Sequence, residues 1–300
     1  MKTKYILAAV VAGSLALTAC GGNSSTESSE STKQAITVGS AAFAESEIIA
    51  EIYAQALEAE GYQVERKMRI GSREAYQGAL TDGSIDLIPE YSGNLLQYFD
   101  AGNAAATEEE IVAALPAVLP ANLRVLEAAE AQNRDSWTVS AEFSQTNQIT
   151  SLADLANYQG PLRLAGNPTL AERPYGPKGL VEFYGVKEDQ ITFTPIDDAG
   201  GPLTIKALLD GDVDMANIYT TTPAIKTENL VVLADPENMI LPQQVLPLVS
   251  DRVPAEVDEV LNRVSAKLTT DELIAMNIRS QGEEKAAPSV IAKDWLAENG

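Results

Sequence analysis

From residue 36 onward, short apolar runs alternate with amphipathic stretches, and the alternation has a readable grammar. Ile36-Thr-Val-Gly39 reads as a buried strand. From about Glu45 to Glu60 the apolar residues Ile48, Ile49, Ile52, Tyr53, Ala56 and Leu57 return at helical period, which predicts a helix with one apolar stripe, ended by Gly61. Residues 62–70 alternate enough for a strand, and Ser72 is placed to cap a helix running to Leu80. Residues 94–99 predict a short helix. Thr107 and Glu110 have the spacing of a capping box that opens a helix to about Leu115, and residues 123–128 predict a strand. The polar segment 132–140 then enters another strand and marks a crossing into a second lobe. There the grammar repeats: a cap at Ser151-Leu-Ala-Asp154, a strand at 162–165, a Gly- and Pro-rich loop at 166–179, a helix to Tyr184, a strand at 191–196 and a helix at 203–209. Residues 230–234 and 244–249 are expected as strands rejoining the first lobe. Helices at 254–268, 270–279 and 288–298 close the chain, two of them opened by Pro254 and Pro288. Strand-helix-strand units in series predict α/β lobes, each a mostly parallel sheet flanked by helices.

One stretch occurs twice. Ala79, Leu80, Asp82, Gly83, Asp86 and Tyr91 match Ala207, Leu208, Asp210, Gly211, Asp214 and Tyr219 at a constant offset. Each copy reads as a helix end, a left-handed glycine cap and a short apolar strand that delivers a tyrosine past its carboxyl end. Ligands of open α/β sheets bind at that edge. Two facing lobes would therefore present Tyr91 and Tyr219 across a cleft at a hinge. The competing reading is a common helix-turn-strand unit used twice without functional meaning. The expected boundaries are residues 36–137 plus 220–300 for the first lobe and 138–219 for the second.

The length of 300 residues suits two domains better than one core, and an apolar content of 45% can fill both. Residues 1–19 read as a signal peptide, with Lys2 and Lys4 before an apolar run, Ile6 to Leu17, too short to span a bilayer. The run ends in Leu17-Thr-Ala-Cys20, which resembles a bacterial lipobox and implies cleavage before Cys20 and acylation of its thiol. Residues 20–35 then read as the lipidated cysteine and a flexible tether. The expected location is extracytoplasmic, anchored to the cell membrane as a lipoprotein, with a monomeric body. The formal net charge is −22, which disfavours nucleic acid and anionic lipid surfaces as partners and leaves the lipid anchor as the only membrane contact. The chain has no histidine, and Cys20 is its only cysteine, so Cys and His nucleophiles and the usual zinc sites are excluded. Adjacent acids such as Asp197-Asp198 and Glu283-Glu284 have no spacing that singles out an acid/base pair, and no phosphate-binding glycine loop is found. No enzyme activity, cofactor or metal is expected.

Val38-Gly-Ser40, Phe43-Ala-Glu45, Pro89-Glu-Tyr-Ser-Gly93 and Asn217-Ile-Tyr-Thr-Thr221 resemble the substrate-binding proteins of osmoprotectant ABC transporters, over about residues 36–296. The resemblance implies a type II periplasmic-binding-protein fold whose lobes close on a quaternary ammonium such as glycine betaine, choline or carnitine. Such a cation has no N–H to donate and is held by the negative faces of aromatic rings. The resemblance assigns Tyr91 and Tyr219 to the cage, Asp135 and Trp137 to an Asp-x-Tyr element with tryptophan substituted, and Arg173 to the ligand carboxylate, with Tyr175 as a further candidate. It also implies delivery to a permease driven by separate ATPase subunits. The chain departs from the family where Ala41 replaces a lysine and where Ile205 stands in a longer loop in place of a tyrosine, which predicts a reduced cage. Three alternatives stay open: a receptor for an amino acid or other small carboxylate anchored by Arg173, a sensor subunit that binds without transport, and a secreted carboxylate hydrolase.

Overall fold

A computed structural model describes residues 35–300, and the signal peptide, Cys20 and nearly all of the tether lie outside the described residues. The strands fall into two five-stranded sheets with one topology. The first contains β1 (Ile36–Gly39), β2 (Val64–Lys67), β3 (Leu87–Tyr91), β4 (Leu123–Val125) and β10 (Val245–Ser250), in the order β2-β1-β3-β10-β4. The second contains β5 (Trp137–Val139), β6 (Leu162–Gly166), β7 (Ile191–Pro195), β8 (Met215–Asn217) and β9 (Val231–Val232), in the order β7-β6-β8-β5-β9. In each sheet the fourth strand of that order, β10 or β5, runs antiparallel to both neighbours. Each of these two strands has just arrived from the other lobe.

Both faces of the first sheet are covered. Helix α1 (Ala44–Ala59) packs with α9 (Glu256–Ser265), α10 (Thr270–Gln281) and α11 (Pro288–Asn299) on one side. Helices α2 (Arg73–Thr81), α3 (Ser92–Phe99) and α4 (Glu108–Val118) share a second cluster with Ile85, Ile88, Leu246 and Leu248. Helix α1 buries more than the predicted stripe: Ala50 and Ala54 join the cluster shared with the three closing helices, and Glu51 is covered by its pair with Arg66 on β2. The second sheet is covered by α5 (Ala141–Asn147) and α6 (Pro177–Tyr184) and, through a separate small cluster, by α7 (Pro202–Leu209) and α8 (Ala224–Thr227).

The duplicated stretch has a structural meaning. Gly83 and Gly211 turn the chain with φ of 82° and 74°, where a side chain would be strained. Asp86 then accepts from the backbone N–H of Thr37 on β1 at 2.9 Å and from Arg252 at 3.0 Å. Asp214 accepts from the backbone N–H of Arg163 on β6 at 2.8 Å and from that arginine's own guanidinium at 2.6 Å. In both lobes the repeated aspartate pins the incoming strand to its neighbour, so each tyrosine leaves its sheet at an equivalent place.

Two expectations are corrected. Val231–Val232 does not rejoin the first sheet; it pairs with β5, Val231 with Val139 and Val232 with Thr138. The chain after Tyr219 therefore does not cross back there. Thr220 donates its N–H to Arg134 at 2.9 Å beside the first crossing; the chain then returns through α8 to the second sheet, and it reaches the first sheet only after Ile240. A hydrogen bond from Leu233 N–H to the Trp137 carbonyl, at 2.9 Å, holds this short edge strand in the second lobe.

Candidate functional site

The carboxyl ends of the two sheets face one cleft of about 760 Å³. Tyr91 and Tyr219 both line it. The ring of Phe43, at the start of α1, contacts both of theirs, with centroids 5.9 Å from Tyr91 and 5.5 Å from Tyr219 and interplanar angles of 35° and 43°. Tyr76 from α2 and Tyr175 from the loop before α6 add two more rings to the lining. Burial pushes the phenols of Tyr76, Tyr91, Tyr175 and Tyr219 above their ordinary value, with neighbouring carboxylates adding to the effect. They are therefore neutral at physiological pH and offer intact π faces.

Tyr91 is held by a buried carboxylate. Its hydroxyl donates to Glu45 Oε1 at 2.7 Å, and the same oxygen accepts from Asn133 Nδ2 at 2.8 Å. Glu45 Oε2 accepts from Thr221 Oγ1 and Asn277 Nδ2, both at 2.6 Å. Glu45 lies in the first turn of α1, where the helix dipole favours negative charge. Its four donors come from the end of β3, the first crossing, the turn after Tyr219 and α10, so one side chain ties Tyr91 to the segments that join the lobes. Close approach at the hinge also explains Gly93: a Cβ there would stand 2.4 Å from the Pro242 carbonyl of the returning segment.

Charged groups line the rest. Arg73 forms a bidentate pair with Glu90, both bonds at 2.9 Å, and Tyr76 donates to the same carboxylate at 2.7 Å. Burial works against the charge of Arg73, and Glu90 together with the Tyr76 and Tyr175 phenols outweighs it, so the guanidinium stays charged. Arg173 reaches across from the second lobe to Glu74 on α2, at 2.7 Å. Asp135 faces the cleft and accepts from Asn94 Nδ2 at 2.8 Å. Burial raises its pKa above the ordinary aspartate value, while Asn94 and Asn217 pull it back.

Of the residues singled out from the sequence, Tyr91, Tyr219, Asp135, Arg173 and Tyr175 are brought together around the cleft. Trp137 is not. It is 1% exposed in the core of the second lobe, and its Nε1–H donates to the Tyr175 carbonyl at 3.1 Å, so it sits behind the wall that Tyr175 presents. Its strand is buried on both faces, which makes it packing. Ile205 packs with Ala165, Leu208 and Ile218, away from the lining. The loop before it is fixed by Asp198, which caps α7 through the N–H groups of Leu203 and Thr204 at 2.6 and 3.1 Å. Sequence reasoning missed Arg73 and Tyr76, and gave Phe43 only as part of a motif. The signal for the first two was present: Arg73, Tyr76 and Leu80 share one face of α2 by helical spacing.

Residues 34–298 match the family described as the substrate binding domain of ABC-type glycine betaine transport systems. The chain belongs to this family. It is 27% identical to the glycine betaine-binding protein YehZ of Escherichia coli K12, over 88% of this chain and 90% of that one. It is 24% identical to the carnitine transport binding protein OpuCC of Listeria monocytogenes, over 90% of this chain and 88% of the relative. A crystal structure described as a glycine betaine/carnitine/choline ABC transporter superposes with a TM-score of 0.68 at 21% identity, over 88% of this chain and 98% of that one. The architecture is the type II periplasmic-binding-protein fold. A member of this family is the substrate-binding component of an ABC transport system, an extracytoplasmic protein that works with a permease; the curated relatives are binding proteins and not enzymes.

Proposed function

We propose that this chain captures a small quaternary ammonium osmolyte of the glycine betaine, choline or carnitine kind in an aromatic cage, and delivers it to a permease driven by separate ATPase subunits. The observation that carries the reading is the contact of Phe43 with both Tyr91 and Tyr219 at the mouth of two facing sheets, with Tyr76 and Tyr175 on the same cleft. A methylated ammonium offers only C–H groups around a buried charge, and each desolvated ring face contributes about 0.5 to 2 kcal/mol to holding it. Asp135, negative in ionised form, adds a counter-charge. The ligands named for the two curated relatives, glycine betaine and carnitine, both contain this group. The processed chain is carried on a lipidated Cys20, where several acyl chains on one residue hold firmly and a single chain would not.

Titration calorimetry with glycine betaine, choline and carnitine tests the proposal. Saturable heat is expected for at least one of them, abolished by the double change Tyr91→Ala, Tyr219→Ala. Absence of heat for all three would sink it, and undiminished affinity in the double variant would shift the site to a small-carboxylate receptor centred on Arg173.

A further inference from the structure

Three arginines reach the cleft, and each already faces an acid of the protein. Arg73 is locked by both oxygens of Glu90, a pair with side-chain exposures of 10% and 0%. Taking Arg73 away would leave a buried carboxylate unpaired, which is strongly destabilising. Arg69 stands at the rim, more than half exposed, 3.4 Å from Glu47. Arg173 is the arginine best placed to receive a ligand carboxylate, and its guanidinium is bound to Glu74 across the cleft at 2.7 Å.

The acids on the lining are in the opposite situation. Asp135, Asp197 and Asp198 all face the cleft, and among the described residues none of the three forms an ion pair. Asp198 is used to cap α7 and Asp197 accepts an amide from Asn167 at 3.2 Å, while the buried Asp135 is met by the neutral side chains of Asn94, Asn217 and Tyr175. Each of the three arginines is paired with an acid of the protein, whereas the three aspartates are held by neutral donors, with Arg73 acting on Asp135 only at a distance, so an empty cleft holds an excess of negative charge.

We propose that this cleft sorts quaternary ammonium ligands by net charge, preferring those without a carboxylate, of the choline type, because Glu74 already takes one arm of the Arg173 guanidinium, through Nη2, and would lie beside any ligand carboxylate that approached it. The proposal rests on the quaternary-ammonium reading above and narrows it. A cation lays its methyl groups on the rings, takes Asp135 as counter-charge and leaves the Arg173–Glu74 pair closed. A zwitterion brings a carboxylate that meets the same acids as a like charge unless it displaces Glu74 from Arg173. Glu74 can be displaced, since its side chain is about half exposed, and it stays ionised because Ser72, its own backbone N–H and Arg173 hold its pKa down against the effect of burial.

The test compares choline with glycine betaine, which share the trimethylammonium group and differ in the carboxylate. Calorimetry on the processed chain is expected to give a lower Kd for choline, by about tenfold, of which the partly exposed Arg173–Glu74 pair accounts for about fivefold. In Glu74→Gln the Kd for glycine betaine is expected to fall by about fivefold, while that for choline changes by less than about twofold. Equal or tighter binding of glycine betaine by the unaltered chain overturns the inference, and so does a Glu74→Gln change that moves both ligands alike. Both outcomes leave the quaternary-ammonium reading standing. If neither ligand binds, that reading fails and the inference with it.

Discussion

Tyr91 carries two properties on one side chain, and two substitutions separate them. Its ring contacts Phe43 and its hydroxyl donates to Glu45. Tyr91→Ala removes both and is expected to raise the Kd for a bound quaternary ammonium by about tenfold or more. Tyr91→Phe keeps the π face and deletes one hydrogen bond to a buried carboxylate; by urea unfolding it is expected to cost about 1.5 to 3 kcal/mol of stability, with a smaller loss of affinity. Asp135 has a different signature. Its raised folded pKa means that the folded chain holds this proton more tightly than the unfolded chain does. The ionised residue therefore costs stability at neutral pH, and the cost disappears as pH falls below the unfolded value, about 3.9. Asp135→Asn is accordingly expected to raise Tm at pH 7 and to weaken choline binding. In the unaltered chain, choline affinity should decline on acidification from a higher pH than an ordinary aspartate would produce, and in Asp135→Asn that decline should be absent when titrated calorimetrically at a series of pH values.

Helix α1 is the element on which both the aromatic cluster of the cleft and the joint between the lobes depend. Phe43 caps its start, Glu45 stands in its first turn, and it then buries Ile48, Ile49, Ile52 and Leu57 between the first sheet and the three closing helices. Its apolar repeat was legible because a helix packed on a sheet must show one. Its enclosure on further sides was not, because the closing helices lie some two hundred residues away in the chain. Glu45 was hidden for a similar reason: its donors Asn133, Thr221 and Asn277 are remote in sequence, and an acid near a helix start is ordinarily a solvated first-turn residue. A glutamine at this position offers one acceptor oxygen in place of two and places an amide N–H₂ against existing donors. Glu45→Gln should therefore lose at least two charge-assisted bonds and destabilise the fold by about 3 kcal/mol or more. Leu57→Ala, which leaves the hinge untouched, should cost about 2 to 5 kcal/mol through its cavity alone. Small-angle scattering with and without saturating ligand distinguishes the two, since only Glu45→Gln should alter the change in radius of gyration on binding.

At the scale of the whole molecule, the duplicated aspartates and tyrosines announced two equivalent sheets, and the structure repeats one strand order in both. Periodicity failed where burial is two-sided. Trp137 sits in a strand enclosed on both faces, so alternation could not say whether its ring faced ligand or core, and the short strand β9 carried no mark of which sheet it would join. Composition supplies the last link. A net charge of −22 surrounds a cleft whose lining aspartates have no ion pairs among the described residues, so the long-range field and the local field have the same sign. Such a field raises the encounter rate of a cation and leaves a zwitterion, which has no net charge, nearly unaffected. Trp137, bonded to the carbonyl of Tyr175 behind the cleft wall, is placed to report binding through its fluorescence. Stopped-flow mixing should show the association rate of choline falling several-fold as ionic strength rises from about 0.01 M to 1 M, where the Debye length shrinks from about 30 Å to 3 Å. The rate for glycine betaine should change little over the same range. Parallel salt dependence for the two ligands would mean that the acidic surface serves solubility alone and that selection by charge, if present, operates only after the ligand has entered.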